Sequence, residues 1–396
     1  MADATQGSSL EDLAAIEPEL TDDERLVRAS VRRFVRERYL PRAAELYAKE
    51  EFPLDLVSEL GELGVLGAGL SGYGCAGMGP VAYGLMLEEL EYGDSGLRSF
   101  ASVQGSLAMF AIHAFGSEAQ KQRYLPDMAR GKLIGCFGLT EPDSGSDPGS
   151  MLTRARRVGD QFVLDGTKMW ITNAPLAHLA IVWAKVDDGG AESIRGFIVE
   201  RDAPGFSTSR IHGKMSLRSS ETGAIHLEGC AVPAEAALEH KPGLGAPLRC
   251  LNEARLGISW GAVGAAKACF DCVLGYTKER RQFGVPIAKK QLVQAELADM
   301  ASAIVSAELL AFHFSRRKQR GQKPSPAQVS LCKRNNVAAA LDVARRSRNL
   351  LGANGILLEY PVVRHLLNLE SVYTYEGTHQ IHTLVLGKAL TGEDAF

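Results

Sequence analysis

Apolar positions recur at helical spacing from Asp22 to about Ile134. Thr21-Asp22-Asp23-Glu24 reads as a helix start, and Leu26, Val27, Val31, Phe34 and Val35 follow on a helical period. Residues 1 to about 20 predict little order. Gly64 to Gly79 is glycine-rich and interrupts the helices, Val81 to Tyr92 resumes them, and Asp94-Ser95-Gly96 is a turn that places Arg98 in the first turn of the next helix. Ser117 starts another helix, ending near Arg130-Gly131. The period then changes. Phe162/Leu164, Ala180 to Ala184, Gly196 to Val199 and Ile225/Leu227 read as short strands between Gly, Asp and Pro turns. From Leu248 long helices return, and Val293, Leu297, Met300, Ile304, Ala307 and Ala311 form one apolar stripe that reads as bundle core. The pattern predicts a mostly α protein with a central β-barrel: an α-helical domain over 1–134, a β-barrel over 135–247 and a helical bundle over 248–396.

With 396 residues the chain is too long for one simple core. Its 45% hydrophobic and 23% charged residues are ordinary for a globular protein. A net charge of −3 gives no reason to expect nucleic acid or an acidic membrane surface as partner. No apolar run looks long enough to span a bilayer. The N-terminal acids Glu11, Asp12, Glu17, Glu19, Asp22, Asp23 and Glu24 argue against a signal or transit peptide, so a cytoplasmic protein is expected. The seven cysteines are scattered; Cys269-x-x-Cys272 lies in a helical pattern with no second pair, and small core residues are expected there rather than a metal or redox site. No metal is expected.

The stretch Val372 to Gln380 changes the picture. Gly377 interrupts a helical pattern that resumes at Ile381, and Thr378 is a good N-cap for the second helix. Glu376 therefore stands at a break between helices, beside free backbone N–H groups and after aromatic residues. Such a carboxylate suits a general base, and equally reads as a solvated loop acid. Phe137 to Pro148 is a loop dense in hydroxyls and glycines, suited to a polar heterocycle or a phosphate, or simply a polar loop. Trp170-Ile171-Thr172-Asn173 sets an aromatic next to a hydroxyl, either for a planar ring or as a tryptophan packed on its own sheet. Arg280 to Gly284 pairs a guanidinium suited to pyrophosphate with Phe283, and Leu351-Gly352-Ala353-Asn354-Gly355 is a glycine turn that a ligand can approach. None matches a Walker loop or a Rossmann fingerprint.

These motifs together resemble the acyl-CoA dehydrogenase family over nearly the whole chain, from about Asp22 onward. The resemblance is specific in Gly135 to Pro142, Trp170 to Asn173, Arg280 to Gly284 and Tyr375 to Thr378. It implies FAD, a homotetramer, an electron-transfer flavoprotein as acceptor, and a helical domain, a β-barrel and a C-terminal four-helix bundle in that order. It implies Glu376 as the catalytic base. Phe137, Leu139, Thr140, Gly145, Ser146, Trp170, Ile171 and Thr172 would hold the flavin, with Ser146 also facing the thioester. Arg280, Gln282, Phe283, Gln291, Asn349, Leu351, Gly352 and Ala353 would hold FAD across a subunit contact, and Thr378 and Gln380 would adjoin it. Leu248, Asn252 and Arg255 would line the acyl-CoA channel, and Tyr375 and Gly377 would flank the substrate. Glu91, Arg98 and Ser99 point within the family to its glutaryl-CoA-oxidising branch, which releases CO2 and forms crotonyl-CoA. Tyr373 and Gln380 depart from that branch, where asparagine and aspartate are usual. Two alternatives stand beside it. One is oxidation of another short or branched acyl thioester, on CoA or a carrier protein, without decarboxylation. The other is a flavin-binding protein without activity, against which Glu376 argues.

Overall fold

A computed structural model describes residues 8–394. They form two compact units: one holds the described residues through Glu45, Pro80–Ser95 and the chain from Leu256 onward, the other Leu46–Gly79 and Gly96–Arg255.

The first unit is helical. Thr21 caps the helix Asp22–Phe34 by accepting the Glu24 N–H, and Glu24 returns a bond to the Thr21 N–H, a reciprocal cap that explains why the chain starts a helix there. The expected disorder before Asp22 is corrected for Ser9–Leu20. Ser9 and Asp12 cap a short helix, Leu10–Ala14, and Leu10, Ala14, Ile16 and Leu20 are buried; residues 1–7 lie outside the described residues. Three long helices meet at small residues. A Cβ on Gly264 would stand 1.9 Å from the Glu88 carbonyl oxygen, so only glycine lets the helix Gly245–Glu279 approach Pro80–Gly93 this closely. Trp260 Nε1 donates to Ser315 Oγ at 2.8 Å, and the Lys267 ammonium bridges Glu88 and Glu308 at 2.7 Å each.

The 29-residue helix Gln291–Gln319 corrects one expectation. By length and composition it is apolar enough to cross a membrane, with a mean hydropathy of 1.4 over 18 residues. Its Met300, Ile304, Ala307 and Ala311 are nevertheless buried in packing, as the stripe predicts, while Val293 and Leu297 are only half-buried. Asn336, on the helix Pro326–Leu350, ties three helices together by donating to the Ser259 and Ala307 carbonyls at 3.1 and 2.8 Å. Cys269 is buried in this core and Cys272 half-buried; both are free thiols.

The second unit joins helices to a seven-stranded sheet. The helix Ser95–Ser102 runs into a π-helical stretch, Val103–Met109, and on into Phe110–Phe115. In the sheet, Leu179–Val186 pairs antiparallel with Ile194–Glu200 on one side. On the other it pairs in parallel with Gly135–Gly138 and then Arg154–Val158. Arg154–Val158 turns back into Gln161–Thr172, which pairs with Thr222–Pro233, and that strand pairs with Phe206–Arg210. Ile181 and Trp183 pack toward the helices while Ala180, Val182 and Ala184 fill the opposite core, so the strand reads as a continuous apolar run from Leu179 to Ala184.

This sheet is not the closed barrel predicted. Its strand path ends at Phe206–Arg210 without returning to Ile194–Glu200. Register shifts at Leu164/Gly166 and Lys168/Ile171 curl it into a half-barrel, and the mostly polar edge Phe-Ser-Thr-Ser-Arg stays open.

Candidate active site

The helix Pro361–Thr374 stops at an extended Tyr375, and Glu376 follows in the left-handed region at φ 50°, then Gly377 at φ 92°. Thr378 restarts the chain as N-cap of His379–Thr391, accepting the Ile381 N–H at 3.1 Å. A non-glycine residue at positive φ costs about 1–3 kcal/mol and persists where its surroundings over-determine it. Here they do. The ammonium of Lys333, 1% exposed on the helix Pro326–Leu350, donates to the Tyr375 and Gly377 carbonyls at 2.7 Å each. The Tyr373 and His379 rings stack at 4.4 Å and 8°, closing the neck of the turn. Burial, with Arg334 and Lys333 adding repulsion, lowers the His379 pKa and favours its neutral imidazole.

The helix that ends in this turn is itself anchored. The Arg364 guanidinium pairs with Asp94 and donates to the Gly93 carbonyl at 2.7 Å, and Asn368 Nδ2 donates to Asp94 at 3.1 Å, all out of solvent. Asp94 directly precedes the helix that carries Arg98.

In the sheet-bearing unit the polar loop is built around Glu141. Its carboxylate accepts the Leu152 and Thr153 N–H groups at 2.6 and 2.9 Å, the Thr153 hydroxyl, and the Lys168 ammonium at 2.8 Å. Lys168 also donates to the Leu139 carbonyl at 3.1 Å, and the Met169 N–H donates to the Thr140 carbonyl at 2.9 Å, which joins the loop to the strand bearing Trp170. Burial alone would raise the Glu141 carboxyl; Lys168 and the other donors outweigh it and hold it below its ordinary value. Burial pushes Lys168 down to about 8 against the pull of Glu141, so the pair is charged at neutral pH. The loop's internal bonds do not use the Thr140 or Ser146 hydroxyls or the Gly145 and Ser146 amides. A Cβ added at Gly145 would meet nothing within 4 Å. Trp170, at the bulge and with φ 62°, is 57% exposed. A rigid loop with outward donors beside an exposed indole fits a flavin. Phe137, Leu139 and Ile171 have buried side chains, so they can meet a ligand only through their backbone. Thr172 is half-buried on the same strand.

The other predicted cofactor residues lie in the helical unit. Phe283 and Gly284, at φ 52° and 79°, form the two-residue turn of a hairpin pairing Arg281–Gln282 with Val285–Pro286. Phe283 is 92% exposed at its tip, and Arg280 and Gln282 are exposed beside it. Gln291 opens the following helix. Asn354 Nδ2 contacts the Tyr276 hydroxyl at 3.4 Å, which brings the turn after Asn349 close to the helix end leading into Arg280. In that turn Gly352 and Ala353 are exposed and Leu351 is buried. Gln380 is exposed next to the Glu376 turn.

Of the predicted acyl-binding residues, Glu91 is fully buried and accepts the Ser95 hydroxyl at 2.7 Å. Arg98 is 1% exposed. Ser99 and Ser102 are buried too, and neither hydroxyl has a hydrogen-bond partner. Residues 98, 99 and 102 are neighbours on one helix surface. Leu248, Asn252 and Arg255 follow one another along the helix Gly245–Glu279, with Arg255 donating to Asn252 Oδ1 at 3.0 Å. Sequence reasoning missed Ser102, Lys168 and Lys333. The signal was present for Lys333, since it falls on the same helical stripe as Val329, Val337 and Ala340, where a lysine is out of place.

Three family models match the chain in order: acyl-CoA dehydrogenase, N-terminal domain over residues 21–132, middle domain over 136–230 and C-terminal domain over 241–391. The chain is 36% identical over 375 residues to the mitochondrial short-chain specific acyl-CoA dehydrogenase of Rattus norvegicus, covering 93% of this chain and 90% of that protein. It is similar to a crystal structure of glutaryl-CoA dehydrogenase from Mycobacterium smegmatis, with 55% identity and a TM-score of 0.96 over 98% of this chain and 100% of the other. A glutaryl-CoA dehydrogenase from the same organism in complex with FADH2 matches at 50% identity, with the same TM-score and coverage.

Proposed function

The chain belongs to the acyl-CoA dehydrogenase family, and from that premise we propose that it oxidises glutaryl-CoA to crotonyl-CoA and CO2. It is an oxidoreductase acting on CH–CH bonds, and its cofactor is FAD. The observation that carries the substrate assignment is the buried group of Arg98, Ser99 and Ser102. A buried guanidinium, with two buried hydroxyls that lack hydrogen-bond partners, suits a plain aliphatic chain poorly and matches a carboxylate at the far end of a short one. The 55% identity to a glutaryl-CoA dehydrogenase supports the same reading.

In this reading Glu376 takes the α-proton of the thioester on its carboxylate. Negative charge then grows on the thioester oxygen, where the Glu376 N–H is the chain's donor; one such donor is typically worth about 2.7–4 kcal/mol in a dry site. A hydride leaves the β-carbon, and FAD when bound supplies its acceptor. The loop from Leu139 to Ser146 and Trp170 would hold that cofactor. The five-carbon enoyl product carries its carboxylate β to the new double bond. The electron pair of the C–CO2 bond can therefore flow into the conjugated thioester, and CO2 departs. The γ-carbon then takes up a proton, which Glu376 now holds. The proposed electron acceptor is an electron-transfer flavoprotein and the proposed assembly a homotetramer, both resting on family membership.

The second reading, a short or branched acyl thioester without decarboxylation, is favoured by the 36% identity to a short-chain dehydrogenase. A substrate screen separates the two. Purified holoenzyme is mixed anaerobically with glutaryl-, butyryl- and isovaleryl-CoA while flavin bleaching is followed. Glutaryl-CoA is expected to bleach the flavin fastest; faster bleaching by either uncharged acyl chain supports the second reading.

A further inference from the structure

We propose that Lys333 is a positioning residue for the reaction, holding the carboxylate and the backbone N–H of Glu376 in one fixed relation. The inference rests on the reading of Glu376 as the base. Lys333 grips the carbonyls on either side of that residue, those of Tyr375 and Gly377, at 2.7 Å each. In a trans peptide the C=O and N–H point in opposite directions. A Tyr375 carbonyl aimed at Lys333 therefore aims the Glu376 N–H away from it. The second grip fixes the next peptide but one, so the Glu376–Gly377 unit between them is held at both ends. This is how a residue with φ 50° keeps a single geometry. The Lys333 ammonium also lies 5.8 Å from the centroid of the Tyr375 ring, and the Tyr373–His379 stack clasps the turn outside it. Proton abstraction and oxyanion stabilisation occur at one residue, so any rotation of its peptide misaligns both at once.

The test compares Lys333→Met and Lys333→Gln with the wild type, each as FAD-loaded holoenzyme. Met removes the grip; Gln retains a neutral donor. Two readouts are used: the rate of flavin reduction per bound flavin, and the affinities for acetoacetyl-CoA and S-butyl-CoA. The first of these ligands enolises and carries the charge of the reacting oxygen, whereas the second has no carbonyl. For Lys333→Met, flavin reduction should fall about 100-fold, the loss typical of one oxyanion donor. Acetoacetyl-CoA should bind more weakly and enolise only at higher pH, with S-butyl-CoA binding unchanged, and Lys333→Gln should lie between Met and wild type. Wild-type reduction in Lys333→Met overturns the proposal, as does equal weakening of both ligands. Failure of both variants to accumulate as flavin-loaded protein also overturns it, because Lys333 would then serve folding. If instead Glu376→Gln retains turnover, the reading of the base fails, whatever the Lys333 variants do.

Discussion

Glu376→Gln should fold, bind FAD and bind acyl-CoA, yet lose about 10²–10⁴-fold in turnover, the range expected when a general base is removed. Gln is nearly isosteric with Glu and keeps the backbone N–H. Two sets of contacts that hold the turn do not involve the carboxylate: Lys333 grips the neighbouring carbonyls, and Tyr373 stacks on His379. The left-handed backbone at residue 376 is therefore expected to survive the exchange. What disappears is an acceptor for the α-proton. Rapid mixing with substrate should show formation of the complex followed by very slow flavin bleaching. Bleaching near the wild-type rate would mean that another group removes the proton.

Arg98→Met should discriminate between substrates. Met roughly matches the length of the aliphatic stem and keeps the site filled, but it cannot pair with a carboxylate bidentately. A hydrogen bond to a charged group contributes about 1.5–3 kcal/mol, so glutaryl-CoA should lose roughly tenfold or more in kcat/KM. Butyryl-CoA lacks the carboxylate and should be little affected, or improve as a buried charge is removed. Steady-state kinetics with both substrates checks this. Equal losses for the two would make Arg98 structural, a role consistent with its burial.

Local signals in the chain were legible where short-range chemistry decides the structure. Thr21 and Glu24 announce a helix start, Asp94-Ser95-Gly96 restarts a helix before Arg98, and Gly377-Thr378 breaks and re-caps the chain beside Glu376. The family-specific motifs then singled out the loop around Thr140 and the hairpin at Phe283. Features set by distant partners were hidden. Leu10, Ala14, Ile16 and Leu20 lie within an acidic stretch that hid their spacing, although all four are buried. Arg154–Val158 reads as charged coil because its arginines face solvent at the sheet surface and only Ala155 is buried. Closure of the sheet depends on whether its first and last strands meet, which no local period reports. The same holds at the site. A break in a helix does not disclose that Glu376 has φ 50°, and the place of Lys333 on an apolar stripe, 43 positions earlier, marks it as buried without naming the carbonyls it grips. Ser102 looks like an ordinary small helix residue until its hydroxyl is found buried without a partner, like that of Ser99.

The most direct measurement of the central claim is the release of CO2 from glutaryl-CoA labelled in its distal carboxylate. It should be made with wild-type holoenzyme and an artificial electron acceptor, with the acyl product identified in the same reaction. The account predicts one labelled CO2 for each glutaryl-CoA oxidised and a four-carbon enoyl thioester as product. A five-carbon enoyl product that keeps its label, or no flavin reduction by glutaryl-CoA while butyryl-CoA is readily oxidised, would contradict it.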